Sequence, residues 1–273
     1  MLTNHQVAHY KTFGFLIWHQ VLSRDEILRC AIELERGLGA DYSHKPFDGT
    51  KKQMATAMGP LTPFMASLLE DPRFCDVAEQ LGGDDILGLI SDVNRRVGNT
   101  FWHADTAGIH RCSVKFGWYL DPVGADSGAM RLIPGSHRNP LHDALKALLP
   151  YPEPGQVPDI SVADVPAYAC ETEPGDVLIF DPRTWHASVG GPPGRRLCTL
   201  FYQSNPKTAQ EEAGARKFAE GNAKTPETHD RPGQPWCHQQ WVANPQRSAK
   251  RQRWINRLRE LGFYSGNEYN FLS

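Results

Sequence analysis

Several familiar signals are missing from this chain of 273 residues. Its six cysteines are widely scattered and form no Cys-x-x-Cys pair, which removes support for a zinc ribbon or a thioredoxin-like redox site. No apolar run approaches the roughly 20 residues that cross a bilayer. The N-terminus also lacks the cationic start and apolar segment of a secretory signal. We therefore expect a cytoplasmic protein with reduced thiols and no membrane partner.

An excess of charge of one sign is missing as well. The chain has 29 Lys and Arg against 31 Asp and Glu, a net charge of -2, so no overall field favours nucleic acids or anionic membranes. With 40% hydrophobic and 22% charged residues, the composition is that of an ordinary globular protein. We expect a small-molecule substrate and no nucleic-acid partner.

The first part of the chain predicts helices around one strand. Thr3 with Gln6, and Ser23 with Glu26, have the spacing of a capping box, in which each side chain satisfies a free donor at a helix start. The other predictions for this part are a strand over residues 14–22, a surface loop over 41–60 and one or two short helices over 61–83.

The pattern of apolar and turn-forming residues changes between about residue 86 and about residue 204. Short apolar or alternating runs are separated there by Gly, Pro and Asp, a pattern that favours a β-sandwich or barrel. An insertion over 138–168 combines one brief helical run with a Pro-rich loop, and a helix is predicted over 245–263. We predict a mainly β fold with flanking helices, organised as one domain over residues 1–273.

A His-x-Asp pair, His103 and Asp105, follows two aromatic residues in the stretch NTFWHADT. In a β-strand, residues i and i+2 point to the same face. If this stretch is a strand, it supplies two kinds of metal ligand in one direction. So short a pair also arises by chance, and alone it does not establish a metal site.

A third ligand is expected from a distant strand. His186 follows the buried run VLIF, 83 residues beyond His103. Two His and one carboxylate on one face form the facial triad of non-haem Fe(II) sites, which leaves adjacent positions open for exogenous ligands. Zinc is disfavoured, because the helical His-Glu-x-x-His of many catalytic zinc sites is absent.

Two arginines, Arg195 and Arg196, begin the next apolar run, RRLCTLFYQ. A buried arginine needs a partner, because an isolated charge in a low dielectric is costly. The distal carboxylate of a co-substrate would be a suitable bidentate partner. Strand alternation puts the two side chains on opposite faces, so one of them is predicted to be a surface residue.

The His-x-Asp pair, the distal His186, the arginine after it and the segment GAMRLIPGSHR occur in an order that resembles the phytanoyl-CoA dioxygenase family. The N-terminal LTNHQVAHYKTFGFL is also similar to the start of such proteins, so the resemblance spans residues 2 to about 204. These proteins are Fe(II)- and 2-oxoglutarate-dependent oxygenases with a double-stranded β-helix, the jelly roll of the cupins. The resemblance therefore implies this fold, with Fe(II), 2-oxoglutarate and O2 as cofactor and co-substrates.

The resemblance also implies roles for individual residues. His103, Asp105 and His186 would ligate iron. Arg195 would bind the distal carboxylate of 2-oxoglutarate, and Ser188 matches a position that often assists there. Related halogenases have a small residue in place of the carboxylate ligand, so the aspartate favours hydroxylation of a C–H bond, with release of succinate and CO2.

The sequence departs from the family pattern at two places. Many members carry Gln between the two ligands, where this chain has Ala104. The loop from His186 to Arg195 is also slightly short, which leaves Arg196 as a second choice for the co-substrate. A jelly-roll metal-binding or ligand-binding protein without oxygenase activity is therefore the alternative hypothesis, and succinate production would discriminate between the two.

Lys115 shares strand parity with Gly117 and Tyr119 in the run SVKFGWY. If these residues face the barrel interior, the ammonium group needs an anionic partner, and it would help hold 2-oxoglutarate or an acidic group of the substrate. The alternative is a lysine on the outer face. Together with the Arg95-Arg96 pair, Lys115 points to a small polar or anionic metabolite as the substrate.

Two further histidines are not counted as ligands. His137 in PGSH is predicted to be a turn residue, and His110 either contacts the substrate or faces solvent. Three polar residues precede His103 in the chain: Asn94, Asn99 and Thr100. They either line the pocket or satisfy backbone groups, and Thr100 is the candidate for a contact with the substrate or co-substrate.

Overall fold

Two antiparallel β-sheets dominate the structure, a computed structural model that describes residues 1–83, 85–105, 113–148, 164–224, 230 and 236–266. The strands are β1 (Phe15–Trp18), β2 (Gln53–Thr56), β3 (Ile86–Arg96), β4 (Thr100–His103), β5 (Ser113–Tyr119), β6 (Met130–Leu132), β7 (Tyr168–Cys170), β8 (Val177–Phe180), β9 (His186–Ser188) and β10 (Arg195–Ser204).

The two sheets have the strand orders β1-β8-β5-β10-β3-β2 and β4-β9-β6-β7. Apolar side chains from both sheets form one cluster, in which Phe15 and Leu178 of the first sheet pack with Leu132 and Cys170 of the second. The sheets therefore face each other, and the fold is the predicted double-stranded β-helix. At one end the space between them is open and forms the cavity described below.

Helices flank the two sheets, most of them the larger one; Leu145, in the helix that follows β6, packs instead against the apolar cluster of Trp102 and Ala187 on the smaller sheet. The helices are α1 (Asn4–Phe13), α2 (Arg24–Asp41), α3 (Pro63–Leu68), α4 (Pro72–Gly82), α5 (Leu141–Leu148), α6 (Ala209–Ala223), α7 (Gln239–Ala243) and α8 (Ala249–Glu260). Both predicted capping boxes are present at the starts of α1 and α2. The predicted C-terminal helix is confirmed as α8, and it buries Trp254 and Leu258.

The largest apolar cluster lies between the helices and the outer face of the larger sheet. It joins residues of α2, α4 and α8 to residues of β3, β5 and β10. Trp254 of α8 packs directly over Gly88 of β3, where a Cβ atom would collide with the indole ring. The single-domain organisation remains a prediction, which this shared core supports.

Three secondary-structure predictions for the flanks need correction. The strand predicted over 14–22 ends at Trp18, because the Asp176 carboxylate accepts from the backbone and side-chain amides of Gln20 and holds a turn there. The loop predicted over 41–60 contains β2, which pairs with β3. The polar segment after Pro206 contains α6, which the sequence analysis did not predict and which begins with a capping box at Thr208.

Within the described ranges, no helix is both long enough and apolar enough to cross a membrane.

Candidate metal centre and co-substrate cavity

Two short antiparallel strands of the smaller sheet bring the two predicted histidine ligands together. His103 ends β4, and its register partner is His186, the first residue of β9. The centroids of the two imidazole rings are 4.2 Å apart. Residues that are 83 positions apart in the chain therefore share one site because the strands pair.

Each imidazole is oriented by a hydrogen bond to the backbone. Nδ1 of His103 lies 2.7 Å from the carbonyl oxygen of Phe101, and Nδ1 of His186 lies 2.8 Å from that of Thr184. A carbonyl only accepts, so both Nδ1 atoms donate and both Nε2 atoms keep a free lone pair. A backbone carbonyl at the second nitrogen is a usual arrangement for a metal-binding histidine.

Asp105 completes the group, although not by strand alternation as expected. Strand β4 ends at His103, and Asp105 follows in a bend whose backbone N–H donates to the carbonyl of Pro182 at 2.8 Å. Its Oδ1 lies 3.6 Å from Nε2 of His103 and 3.7 Å from Nε2 of His186. One ligand atom from each residue can be chosen so that all three lie within 4.8 Å of one another.

The donor set fits ferrous iron. Two imidazole nitrogens and one carboxylate oxygen facing a common point are the ligands of the non-haem Fe(II) facial triad. Burial, together with the neighbouring imidazole of His103, lowers the pKa of His186 to about 3. At neutral pH this ring is therefore uncharged and its Nε2 is available as a ligand.

Lys115 lies inside the barrel, but its partner is Asp105. Its Nζ donates to Oδ2 of Asp105 at 3.0 Å, the carboxylate oxygen that faces away from the two histidines. Burial by itself would raise the pKa of Asp105, but the charge of Lys115, with smaller contributions from the two imidazoles, holds it well below its usual value. The carboxylate is therefore ionised and has one oxygen directed at the imidazoles.

A cavity of about 260 Å³ adjoins the three residues. Thr100 and Ser188, the register partners at the other end of the β4–β9 pair, line it, and Ser188 Oγ donates to Thr100 Oγ1 at 3.1 Å. The remaining wall comes from the inner face of the larger sheet: Lys52, Met54, Asp92, Asn94, Arg96, Lys115, Gly117, Tyr119, Phe180, Leu197 and Thr199, with Met130 and Ala187 from the smaller sheet.

The two arginines of β10 lie on opposite faces, as strand alternation predicts. Arg196 points outward, where its Nε donates to Asp121 at 2.9 Å. Arg195 is buried on the inner face, and its Nη1 donates to the carbonyl of Gly128 at 2.6 Å. The guanidinium of Arg195 packs against the backbone of Gly191 and has no carboxylate partner among the described residues. Arg195 shares a strand face with Leu197 and Thr199, which line the cavity, but it is not itself a lining residue.

Sequence reasoning missed Asp92 and Lys52, and it treated Arg95 and Arg96 as one feature. Asp92 is buried, accepts from Thr199 Oγ1 at 2.7 Å, and has its pKa raised by burial. Arg96 lines the cavity, whereas Arg95 points outward to Glu35. The sequence of β3 did carry a signal for the cavity-lining residues Asp92 and Arg96, because residues 92, 94 and 96 share one face of a strand.

Other residues considered above lie away from the ligand atoms. His137 sits in a turn, as predicted, and packs against Gly14. Asn99 satisfies a backbone group, because its Oδ1 accepts from the N–H of Gly190 at 2.9 Å. Ala104 packs into an apolar cluster. His110 lies outside the described residues.

Comparison with known proteins identifies the family. The family model for phytanoyl-CoA dioxygenase (PhyH) matches residues 10–192. The chain belongs to this family. An ectoine dioxygenase of Bordetella bronchiseptica is 25% identical over 224 residues, which cover 68% of this chain and 70% of that protein. One from Sphingopyxis alaskensis is 25% identical over 242 residues, covering 78% and 79% of the two chains.

Solved structures support the fold. HygX from Streptomyces hygroscopicus, with nickel and 2-oxoglutarate bound, superposes with a TM-score of 0.60 at 21% identity, covering 75% of this chain and 87% of that one. EctD from S. alaskensis, with 2-oxoglutarate and 5-hydroxyectoine bound, has a TM-score of 0.56 at 23% identity, covering 75% and 77%.

The family member described here is a non-haem Fe(II)- and 2-oxoglutarate-dependent dioxygenase, as the sequence predicted. Its cofactor is Fe(II), and its co-substrates are 2-oxoglutarate and O2. The alternative, a jelly-roll binding protein without oxygenase activity, finds no support in these relatives.

Proposed function

We propose that the chain hydroxylates a C–H bond of a small polar or anionic metabolite, with His103, Asp105 and His186 as the iron ligands. The observation that carries this assignment is the convergence of both Nε2 atoms on Oδ1 of Asp105, beside a cavity whose wall bears charged side chains. The ectoine dioxygenases are named for a small molecule, which supports a substrate of modest size.

The reaction follows from the ligand set and its open side. Bound Fe(II) supplies the activation of O2 that couples oxidation of 2-oxoglutarate to oxidation of the substrate. One oxygen atom enters succinate as CO2 leaves, and the other becomes the hydroxyl group that replaces a hydrogen of the substrate. The protein has to place that C–H bond next to the metal and exclude water from it.

We assign the distal carboxylate of 2-oxoglutarate to Arg195. It is the β10 arginine on the cavity side of the sheet, it is buried, and its two recorded acceptors are the neutral carbonyls of Gly128 and Gly98. Arg196 already has a carboxylate partner in Asp121. Ser188 and Thr100 line the same cavity, and their hydroxyl groups are suited to the polar end of the co-substrate.

Lys115 acts in this proposal as a positioning residue. Because its ammonium group donates to Oδ2 of Asp105, Oδ1 is the oxygen that faces the two imidazoles, and the aspartate would hold a metal through that oxygen. The role differs from the one expected from sequence, where Lys115 was a candidate for contact with the substrate or co-substrate.

Spectroscopy under anaerobic conditions tests the assignment. Fe(II) and 2-oxoglutarate added to the purified protein should give a visible charge-transfer band, and the H186A variant should not give it. The H137A variant is the matched control, because His137 lies in a turn away from the ligand atoms. Absence of the band from the folded wild-type protein at saturating reagents would contradict the assignment.

A further inference from the structure

Three cationic side chains lie in one row across neighbouring strands of the larger sheet. Arg96 of β3 and Arg195 of β10 are register partners. Gln53 of β2 pairs with Arg95, so antiparallel pairing places the preceding residue, Lys52, opposite Arg96. Lys52 and Arg96 both line the cavity next to the iron ligands.

No carboxylate lies within ion-pair distance of any of the three cations in the part of the chain that the structure describes. The recorded acceptors are neutral oxygens: Thr100 Oγ1 for Arg96 at 2.8 Å, and two backbone carbonyls for Arg195. The two carboxylates that line this cavity are bonded elsewhere, Asp92 to Thr199 and Asp105 to Lys115. Buried cationic groups without a carboxylate partner are costly unless a ligand brings negative charge.

The chain neighbours of these residues show the opposite behaviour. Arg95 bonds Glu35, Arg196 bonds Asp121, and Lys51 lies 4.0 Å from Asp230. Each outward cation therefore has a carboxylate of its own. The lack of partners is confined to the side of the sheet that faces the cavity.

The expected co-substrate does not account for the whole row. On the proposed function, the iron held by His103, Asp105 and His186 would take up one end of 2-oxoglutarate, and Arg195 would bind its distal carboxylate. Lys115 is already paired with Asp105. Arg96 and Lys52 are then left without negative charge, on the wall that a substrate must touch.

We propose that Arg96 and Lys52 form a subsite for an oxyanion of the substrate, a carboxylate or a phosphate-type group, and that they select acidic substrates. This inference rests on the proposed function. Lys52 also lines a second, outer cavity of about 340 Å³, whose wall carries Lys45 and Lys51 together with the carboxylates of Asp48 and Asp230. An acidic molecule entering from that side meets Lys52 before it reaches the iron.

Paramagnetic relaxation of a small anion tests the subsite without knowledge of the substrate. The full chain is loaded with Co(II) and saturating 2-oxoglutarate, and inorganic phosphate is titrated while its ³¹P line width is followed. Acetate is titrated in parallel and followed by its proton signal, and the Zn(II)-loaded protein is the diamagnetic blank. We expect saturable broadening of at least one of the two anions, and the anion that binds more tightly identifies the chemical class.

The variants K52Q and R96Q should each weaken binding of that anion by about tenfold, since a charge-assisted hydrogen bond is lost. R95Q and R196Q are the matched controls, because these two arginines have carboxylate partners on the outer face of the sheet; both variants should bind the anion like the wild type. Two variants at the subsite keep the test informative if one of them fails to fold.

Two outcomes would overturn the subsite. One is equal binding of the anion by the wild type, K52Q and R96Q, or no saturable broadening in the wild type. The other is saturable broadening that is present without 2-oxoglutarate and lost when 2-oxoglutarate is added, which would make the whole row a co-substrate site. In both cases the anaerobic charge-transfer band of the wild-type protein still reports on the proposed function, so failure of the subsite is distinguished from failure of the enzyme assignment.

Discussion

The two faces of the larger sheet differ in the partners that they offer to adjacent charged residues. On the outer face, Arg95 bonds Glu35 and Arg196 bonds Asp121. On the inner face, the adjacent arginines, Arg96 and Arg195, donate only to neutral oxygens. Because side chains alternate along a strand, one arginine pair supplies both a structural contact and a binding group. Substitutions on the inner face should therefore change ligand binding, and those on the outer face should change stability.

The largest effect is expected for Asp105→Asn, which keeps the shape of a proposed metal ligand, across the cavity from the inner face, and removes its charge. Metal affinity should fall by more than the roughly 100-fold that loss of a group hydrogen-bonded to a ligand can cause, and the charge-transfer band should disappear. The carboxylate control is Asp121→Asn on the outer face, which should retain the band. A D105N protein that bound Fe(II) with wild-type affinity would remove the aspartate from the ligand set.

The next largest effect separates the two arginines of β10. Arg195→Met should weaken binding of 2-oxoglutarate by about 2–4 kcal/mol, the usual cost of truncating one partner of a buried charge pair, while Arg196→Met should change it little. The measurement is a titration of the charge-transfer band with 2-oxoglutarate. If R196M caused the larger loss, the assignment of the two faces would be reversed.

A smaller effect is expected for Lys115→Met, because this residue acts through Asp105. Loss of the contact to Oδ2 should reduce Co(II) affinity by about tenfold, within the range for groups that orient a ligand. The Co(II) absorption spectrum should change as well, since the freed carboxylate can bind through both oxygens. Lys115→Arg, which can still donate to Oδ2, should recover most of both properties. A lysine with a purely structural role would leave the spectrum of the folded K115M protein unchanged.

The candidate ligands and the fold could be predicted from the sequence because they depend on local signals in a recognisable order. The His-x-Asp pair, the distal His186 and the two capping boxes each need only a few neighbouring residues to be noticed. Strand alternation also separated Arg195 from Arg196. The structure adds that Asp105 reaches the site through a bend anchored to Pro182, a contact between segments that are distant in the chain.

The row of cations could not be predicted, because it depends on the pairing of strands. Lys52 lies in a polar run that predicts a loop, and its position follows only from the pairing of β2 with β3. The partner of Lys115 was uncertain for the same reason: it comes from another strand segment. Strand β3 carried the clearest unused signal, since Asp92, Asn94 and Arg96 alternate toward one face.

The smallest effect concerns the helices that cover the outer face. The carboxylate of Glu26 in α2 accepts hydrogen bonds from Arg73 of α4 and from the backbone N–H of Ser23. The hydrogen bond from Arg73 is the main reason why the pKa of Glu26 is lowered from 4.5 to about 2. A carboxyl with a lowered pKa stabilises the fold above its unfolded value, and this contribution is lost as the pH falls from about 4.5 toward 2. Glu26→Gln should therefore lower the free energy of unfolding by about 1 kcal/mol at pH 7.

Urea unfolding at pH 7 and pH 3 measures this contribution. The difference between the wild type and E26Q should shrink at the lower pH, because the wild-type carboxylate is becoming protonated there. The charge-transfer band should be the same in both proteins at pH 7, since Glu26 lies on the outer side of the sheet. Glu35→Gln, at the more exposed outer pair with Arg95, should cost less than E26Q. A loss of the band in E26Q would show that the outer face also shapes the site, and the division between the two faces would then fail.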